Sequence, residues 1–320
     1  MTDANVVLGR VDPAGFAGGT MTLDVDAARQ AIAALGEELG LDTPQLAEGI
    51  CDVINAKMAQ AIRTLTVEKG IEPRDFAMVA FGGAGPMHAA FLAAELEIAD
   101  VIVPPFPGVF SAWGMLEAEL RKDASRAYFT PLAALDRDDL AGLLSELEAD
   151  GLDALETEGV AADARRVRHA IDLRYAGQEY SLTIPLESAG EPRGEDFHEV
   201  LSARFDAAHE TRFGHANPGA PIELVTVRST ALGDVGRAEP EASADGAGGD
   251  VPDATRTVIF GRAAHEARAL RREDLHAGAV LEGPAIVEED TATTVVPPGA
   301  TLRVVEHGAL LIRLDTEATR

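Results

Sequence analysis

A strand that ends in a run of glycines and leads directly into a helix constrains the fold of this chain more than any other segment. Residues 76–81 form a continuous apolar run of the length typical of a strand buried on both faces. The run ends in Gly82-Gly83-Ala84-Gly85-Pro86, and a helical pattern follows from His88 to Glu97. This order predicts an α/β domain in which backbone N–H groups at the turn can approach a ligand closely.

Helical periodicity dominates the chain before this turn. Asp24 is placed to cap a first amphipathic helix that extends to Gly40, and a second helix is predicted for 43–69. A further short strand is predicted at 101–103, closed by prolines. We therefore predict one α/β region over residues 1–125.

The pattern changes beyond residue 125. Helices are predicted at about 130–159 and 197–213, and strands at 167–173, 179–184 and 222–232. These elements indicate an α+β region over 126–236, followed by a flexible acidic linker at 237–254 that has no periodicity. Short β runs separated by Gly-Pro and Pro-Pro-Gly turns predict a small β-rich C-terminal module over 255–320.

The chain of 320 residues is strongly acidic, with 54 Asp and Glu against 27 Lys and Arg and a formal net charge of −27. A surface of this sign repels phosphate backbones, which argues against nucleic-acid binding. Its only lysines are Lys57, Lys69 and Lys122. We interpret this acidic, lysine-poor composition as that of a halophilic or high-GC source, because concentrated salt screens exposed charge.

The sequence argues against a membrane span, a secretory signal, a disulfide and a metal site. No stretch approaches the roughly 20 apolar residues of a membrane-spanning helix, and the N-terminus lacks the basic region of a secretory signal. We therefore expect a cytoplasmic protein with no membrane partner. The single cysteine, Cys51, excludes an internal disulfide, and no histidine spacing suits a metal, so no metal site is predicted.

Several blocks, in order along the chain, resemble the hydantoinase A/5-oxoprolinase family. They begin with Thr2–Arg10, which is similar to the segment that follows the second phosphate motif of the family. The blocks after it are Phe81–Ala89, Val103–Pro105, Pro107–Gly114, Tyr175–Tyr180, Phe213–His215, Gly283–Glu288 and Thr293–Gly299. The resemblance covers nearly all of the chain and corresponds to the C-terminal half of an N-methylhydantoinase A-like large subunit.

The resemblance implies a fold, a cofactor and partners. The fold is the C-terminal half of an actin-like ATPase of the acetate kinase and Hsp70 type, with the glycine turn 82–86 inside residues 1–125. The activity is ATP- and Mg²⁺-dependent opening of a cyclic amide such as 5-oxoproline or a hydantoin. The implied partners are the N-terminal half of the large subunit, or its equivalent, and a hydantoinase B-type small subunit.

The two Asp-led Gly-Gly-Thr hairpins that hold the phosphates in this family do not occur here. Gly18-Gly19-Thr20 imitates one, but no carboxylate stands at the Asp position, so we expect a structural turn. We therefore predict a partial large subunit that forms the adenosine side of the nucleotide cleft and is inactive alone. The alternatives are a non-catalytic assembly module, a gene fragment, or a subunit of an acetone carboxylase-like ATP-dependent carboxylase. The sequence leaves open whether a hydantoin, 5-oxoproline or a ketone is the substrate.

The residues that contact the nucleotide are expected mainly at the glycine turn. The resemblance puts Gly82, Gly83 and Gly85 against the adenosine and α-phosphate; the alternative is a tight turn that only needs a positive φ. His88 opens the next helix and is the candidate catalytic proton carrier, or else forms a structural hydrogen bond.

Three further side chains are candidates for nucleotide contact. Asp3 and Asn5 follow directly on the missing phosphate loop, although residues so near a terminus also fray. Lys57 interrupts an apolar neighbourhood on the long helix and is either within reach of the nucleotide or extends along the surface into solvent.

Overall fold

The computed structural model describes residues 1–236 and 254–314. The chain divides into two compact units, Met1–Leu116 with Glu239–Arg320, and Glu117–Ala238. We call the first the split unit and the second the inserted unit. The predicted division differs from this one, because the boundary at 125/126 falls within a strand and the predicted C-terminal module belongs to the split unit. Apart from Ala254, the linker predicted for 237–254 lies outside the described residues.

Helices dominate the first part of the split unit. Its elements are α1 (Thr2–Val7), α2 (Val25–Leu39), α3 (Thr43–Leu65), β1 (Met78–Val79), α4 (Gly85–Glu95), β2 (Asp100–Val103) and α5 (Phe110–Leu116). As predicted, Asp24 caps α2, because its carboxylate accepts a hydrogen bond from the Ala27 N–H at 2.9 Å. α3 begins with a capping box formed by Asp42 and Gln45.

The inserted unit is a four-stranded antiparallel sheet with two helices. Its elements are β3 (Leu120–Pro131), α6 (Arg137–Thr157), β4 (Arg165–Tyr175), β5 (Leu182–Leu186), α7 (Phe197–Phe213) and β6 (Ile222–Gly233). The strands lie in the order β3-β6-β4-β5. Leucines of α6 and the buried rings of Phe197 and Phe205 on α7 share one core with apolar residues of the sheet.

The C-terminal strands complete the split unit. They are β7 (Thr255–Phe260), β8 (Ala263–Arg271), β9 (Val280–Glu282), β10 (Ala285–Glu288), β11 (Thr293–Val296), β12 (Ala300–Val304) and β13 (Leu310–Leu314). One sheet has the order β11-β10-β8-β7, and the other has the order β1-β2-β13-β12-β9. β13 pairs antiparallel with β2, so that Ile312 lies opposite Val101. The prediction of a separate β-rich module was wrong because local periodicity carries no information about a pairing across such a distance in the chain.

The predicted buried strand at 76–81 is much shorter in the structure. Only Met78–Val79 forms a strand, at the edge of the five-stranded sheet, and Phe76, Val79 and Phe81 are exposed. The N-terminal segment, for which no helix was predicted, forms α1. Within residues 1–236 and 254–314, no helix is both long and apolar enough to cross a bilayer.

Candidate functional site

A cavity of about 310 Å³ lies in the split unit beside the glycine turn. Its lining comes from the start of α1, residues 11–17, the glycine turn, the first residues of α4 and the turn between β10 and β11. This volume is at the small end of the range for sites that bind small molecules, roughly 300–1,000 Å³. We call it the cleft.

The cleft brings together three of the predicted site residues, Asn5, Gly83 and His88. The other four, Gly82, Gly85, Asp3 and Lys57, do not line it. Asp3 and Lys57 are exposed, and Gly85 is the first residue of α4.

The glycines of the turn serve different purposes. Gly82 has a φ of +84°, which only glycine adopts without strain, and its N–H donates a hydrogen bond to the Pro107 carbonyl at 2.7 Å. Gly83 has no such φ, but a Cβ built on it would lie 3.2 Å from the carbonyl oxygen of Thr291. The turn therefore packs closely against the β10–β11 hairpin, and a side chain at residue 83 would press on the wall of the cleft.

His88 is held by a buried partner that sequence analysis missed. Its Nδ1 lies 2.8 Å from Oδ1 of Asn55 on α3, and both side chains are buried. Because Oδ1 is an acceptor, Nδ1 carries the proton and Nε2 is left as an acceptor. Burial, together with the charges of Arg10 and the N-terminus, lowers the pKa of His88, so the imidazole is neutral at pH 7.

A buried arginine, Arg10, connects the N-terminal segment to the C-terminal strands. The Arg10 guanidinium donates to the carbonyl of Ile259 at 3.1 Å, and its centre lies 4.8 Å from the Phe91 ring centroid and 5.2 Å from that of Phe260. Glu48, 3.7 Å from Arg10, accepts hydrogen bonds from two backbone N–H groups of the β7–β8 turn. These contacts fix α1 and Asn5 against the rest of the split unit.

The acidic wall of the cleft is neutralised by arginines. The β10–β11 hairpin carries three consecutive carboxylates, and each forms an ion pair: Glu288 with Arg256 at 2.7 Å, Glu289 with Arg272 at 3.1 Å, and Asp290 with Arg271 at 2.6 Å. Among the residues that the structure describes, no group of three or more His, Cys, Asp or Glu side chains is placed to hold a metal ion. The described residues therefore offer no such group of protein ligands for Mg²⁺.

Another part of the cleft lining is apolar. Val11, Phe16 and Met87 line the cleft and belong to one hydrophobic cluster. Phe16 precedes the Gly18-Gly19-Thr20 turn, in which both glycines have positive φ and the Thr20 hydroxyl donates to the Ala17 carbonyl at 2.7 Å. An apolar wall, close backbone at a glycine turn and a neutral imidazole acceptor together suit a flat ligand with hydrogen-bonding edges, such as a nucleoside.

Comparison with known proteins finds similarity to the hydantoinase/oxoprolinase family along most of the chain. The family model described as Hydantoinase/oxoprolinase matches residues 1–124, and the Hydantoinase/oxoprolinase C-terminal domain matches residues 134–314. The chain is 37% identical to an uncharacterized protein of Methanocaldococcus jannaschii and 28% identical to the caprolactamase subunit alpha of Pseudomonas jessenii. These matches cover 98% and 93% of this chain. The chain spans 44% of the length of either relative.

A solved structure shares the fold. The nucleotide-free structure of acetone carboxylase, from a study of ATP-dependent acetone carboxylation, is similar with a TM-score of 0.79 at 24% identity. The similarity covers 98% of this chain and 46% of that one. At this identity the likeness establishes a mixed α/β fold of the same type.

Proposed function

Because this chain belongs to the hydantoinase/oxoprolinase family, we propose that it is part of the large subunit of an ATP-dependent cyclic-amide hydrolase and forms the adenosine side of its nucleotide cleft. The observation that carries the proposal is the cleft beside the glycine turn, where Gly83, Asn5 and His88 meet an apolar wall. Similarity to a caprolactamase, an enzyme named for a cyclic amide, supports the substrate class.

In this proposal some residues of the cleft bind the nucleotide, and His88 accepts a proton or a hydrogen bond. Gly83 and Ala84 of the glycine turn let the ligand approach the backbone, while Val11, Phe16 and Met87 receive the flat base. His88, neutral at pH 7, accepts a proton or hydrogen bond at Nε2. ATP supplies an activating phosphoryl group when bound.

The remaining parts lie outside the described residues in this proposal. Contacts to the phosphates and to Mg²⁺ belong to a polypeptide equivalent to the N-terminal half, since the described residues offer no metal cage. A small subunit of the hydantoinase B type completes a cytoplasmic enzyme, and the word subunit in the caprolactamase name supports an assembly of several chains. The acidic surface supports a saline habitat, which a higher melting midpoint in molar salt than in dilute buffer would test.

Phosphate release tests the proposed division of labour. The chain alone is expected to release no phosphate from ATP, because the groups that stabilise a transferred phosphoryl group are not in the described residues. Adding the N-terminal half and the small subunit should restore release in the presence of 5-oxoproline, a hydantoin or caprolactam. Turnover by the chain alone would contradict the proposal, and turnover only with a ketone and bicarbonate would favour the carboxylase alternative.

The glycine turn is tested by Gly83→Val with a nucleotide titration of the reconstituted complex. The added side chain presses on the Thr291 carbonyl and the cleft wall, so nucleotide affinity should fall while the circular dichroism spectrum is retained. Gly142→Val on α6 is the matched control, since an added Cβ there meets no atom within 4 Å. If Gly83→Val fails to fold while Gly142→Val folds, Gly83 is required for the backbone geometry of the turn and not for nucleotide contact.

A further inference from the structure

β1, the strand at one edge of the five-stranded sheet, is exposed although its residues have the pattern of a buried strand. A continuous apolar run predicts a strand covered on both faces, yet β1 lies at the end of the strand order. Val79 and Phe81 are 51% and 49% exposed. An uncovered apolar edge strand invites pairing with another chain, and soluble proteins usually protect such edges with charge, proline or a covering segment. Residues 77–81 contain none of those residue types.

Aromatic side chains continue this apolar surface. The Phe81 ring lies 5.4 Å from that of Phe110 on α5, which stacks in turn 5.4 Å from Trp113. The Gly82 N–H bond to the Pro107 carbonyl brings the loop containing Phe106 to the same place. We call Val79, Phe81, Phe106, Phe110 and Trp113 the aromatic edge.

Phe106 is the least expected member of the aromatic edge. Its ring is 69% exposed, and its backbone has a φ of +52°, which a bulky side chain rarely adopts. Within this chain the ring therefore gains little burial to offset an unfavourable backbone conformation. Strain of this kind persists where a residue has a function.

We propose that the aromatic edge is the docking surface for the polypeptide that corresponds to the other half of the relatives' length, with a strand of that polypeptide pairing along β1. The relatives match this chain almost end to end, yet the chain spans only 44% of them, so they contain a second half of comparable size. The aromatic edge also adjoins Gly82, whose neighbour in the chain, Gly83, lines the cleft. This inference rests on the proposed function for the existence of such a partner.

The geometry of β1 predicts which backbone groups the partner uses. The Ala80 N–H donates to the Ile102 carbonyl of β2 at 2.8 Å, so residue 80 faces the sheet. Because successive backbone groups alternate in direction, the N–H and carbonyl of Val79 point to the free side. Strand addition gives affinity through such main-chain bonds, while aromatic anchors give most of the side-chain contribution.

The test is a binding measurement without ATP or substrate, so a failure of the proposed activity does not affect it. The probe is the part of the Methanocaldococcus jannaschii relative that this chain does not match, titrated calorimetrically into the full chain. Trp113→Ser and Val79→Pro should each weaken binding at least about tenfold. Phe129→Ser, at a residue of the inserted unit that is 71% exposed, should bind within about twofold of the unchanged chain.

Phe106→Asn separates docking from folding, because asparagine tolerates the left-handed conformation. It should leave the melting midpoint of the chain unchanged or higher while weakening the binding of the probe. Failure of the unchanged chain to bind the probe at micromolar concentration would overturn the proposal. So would equal binding by all variants, or self-association of the chain that Trp113→Ser abolishes, which would make the aromatic edge an interface between two copies.

Discussion

The two units differ in how completely they hide the apolar residues that their sequences provide. In the described part of the inserted unit only Phe129, Tyr180, Phe213 and Val235 are large exposed hydrophobic side chains, whereas the rings and leucines of α6, α7 and the sheet are buried. The split unit exposes many more, including a strand segment with the pattern of a buried one. The inserted unit, which is one continuous segment, thus buries most of the apolar residues of its sequence. The split unit leaves apolar residues exposed, on a face suited to a partner.

The largest difference should appear when one large side chain is removed from each unit. Phe205→Ala should cost about 3–5 kcal/mol of unfolding free energy, because the ring is fully buried and meets the Tyr175 ring edge-on at 4.8 Å. Phe76→Ala, at an exposed ring of the split unit, should cost less than about 0.5 kcal/mol. Urea unfolding followed by circular dichroism measures both, and similar losses would contradict the contrast between the units.

Helix caps should give smaller, matched effects in the two units. The Asp136 carboxylate accepts hydrogen bonds from the N–H groups of Asp138 and Asp139 at the start of α6, as Asp24 does from Ala27 at α2. Asp136→Ala and Asp24→Ala should each cost about 1 kcal/mol. If the units unfold separately, each variant should shift only one of two transitions in a calorimetric scan. A common shift in a single transition would show that they unfold together.

Mild acid should weaken the split unit before the inserted unit. A buried neutral His88 with a lowered pKa contributes stability that is fully present above about pH 6.5, its unfolded value, and declines as the pH falls below it. Burial would raise the pKa of Asp172, but hydrogen bonds from Arg228 and Thr183 outweigh burial and lower it. Its contribution is therefore present above about pH 4 and is lost only below that value.

Urea unfolding at pH 7, 5.5 and 4.5 measures this order. His88→Gln should remove the dependence of the split unit between pH 7 and 5.5, and Asp172→Asn should leave that interval unchanged. A pH dependence in that interval that survives His88→Gln would assign it to another group.

Local signals in the sequence predicted most of the elements but few of their partners. The helix at 197–213 is confirmed to the residue, and Asp24 is confirmed as a cap, because caps and 3.6-residue periodicity act over a few neighbours. The membership of the C-terminal strands was wrong, because it depends on β13 pairing with β2. The length of β1 was wrong as well, and β1 pairs only with β2 at the edge of the sheet. No local pattern specifies that contact.

Only part of the lining of the candidate site was predictable from the sequence. Gly83 and His88 were candidates because the glycine turn and helix start are adjacent in sequence, and Asn5 because its segment resembles the family; all three line the cleft. Asn55, which orients His88, is one polar residue among many on α3. The β10–β11 hairpin, which also lines the cleft and packs against Gly83, lies about 200 residues away in the chain, so its approach to Gly83 depends on tertiary structure alone.

The β2–β13 pairing also sets an order of assembly on the ribosome. Asp100 and Arg313, which form an ion pair at the end of this strand pair, are separated by 213 residues. At roughly 5–20 residues per second, synthesis leaves β2 without that neighbour for about 10–40 s. The inserted unit is complete before then, because all of its strands lie within residues 120–233. During translation the inserted unit is therefore expected to fold first. Val101 and Val103 of β2 stay without their neighbour β13 until it is synthesised, so we expect this segment to be the one most in need of a chaperone.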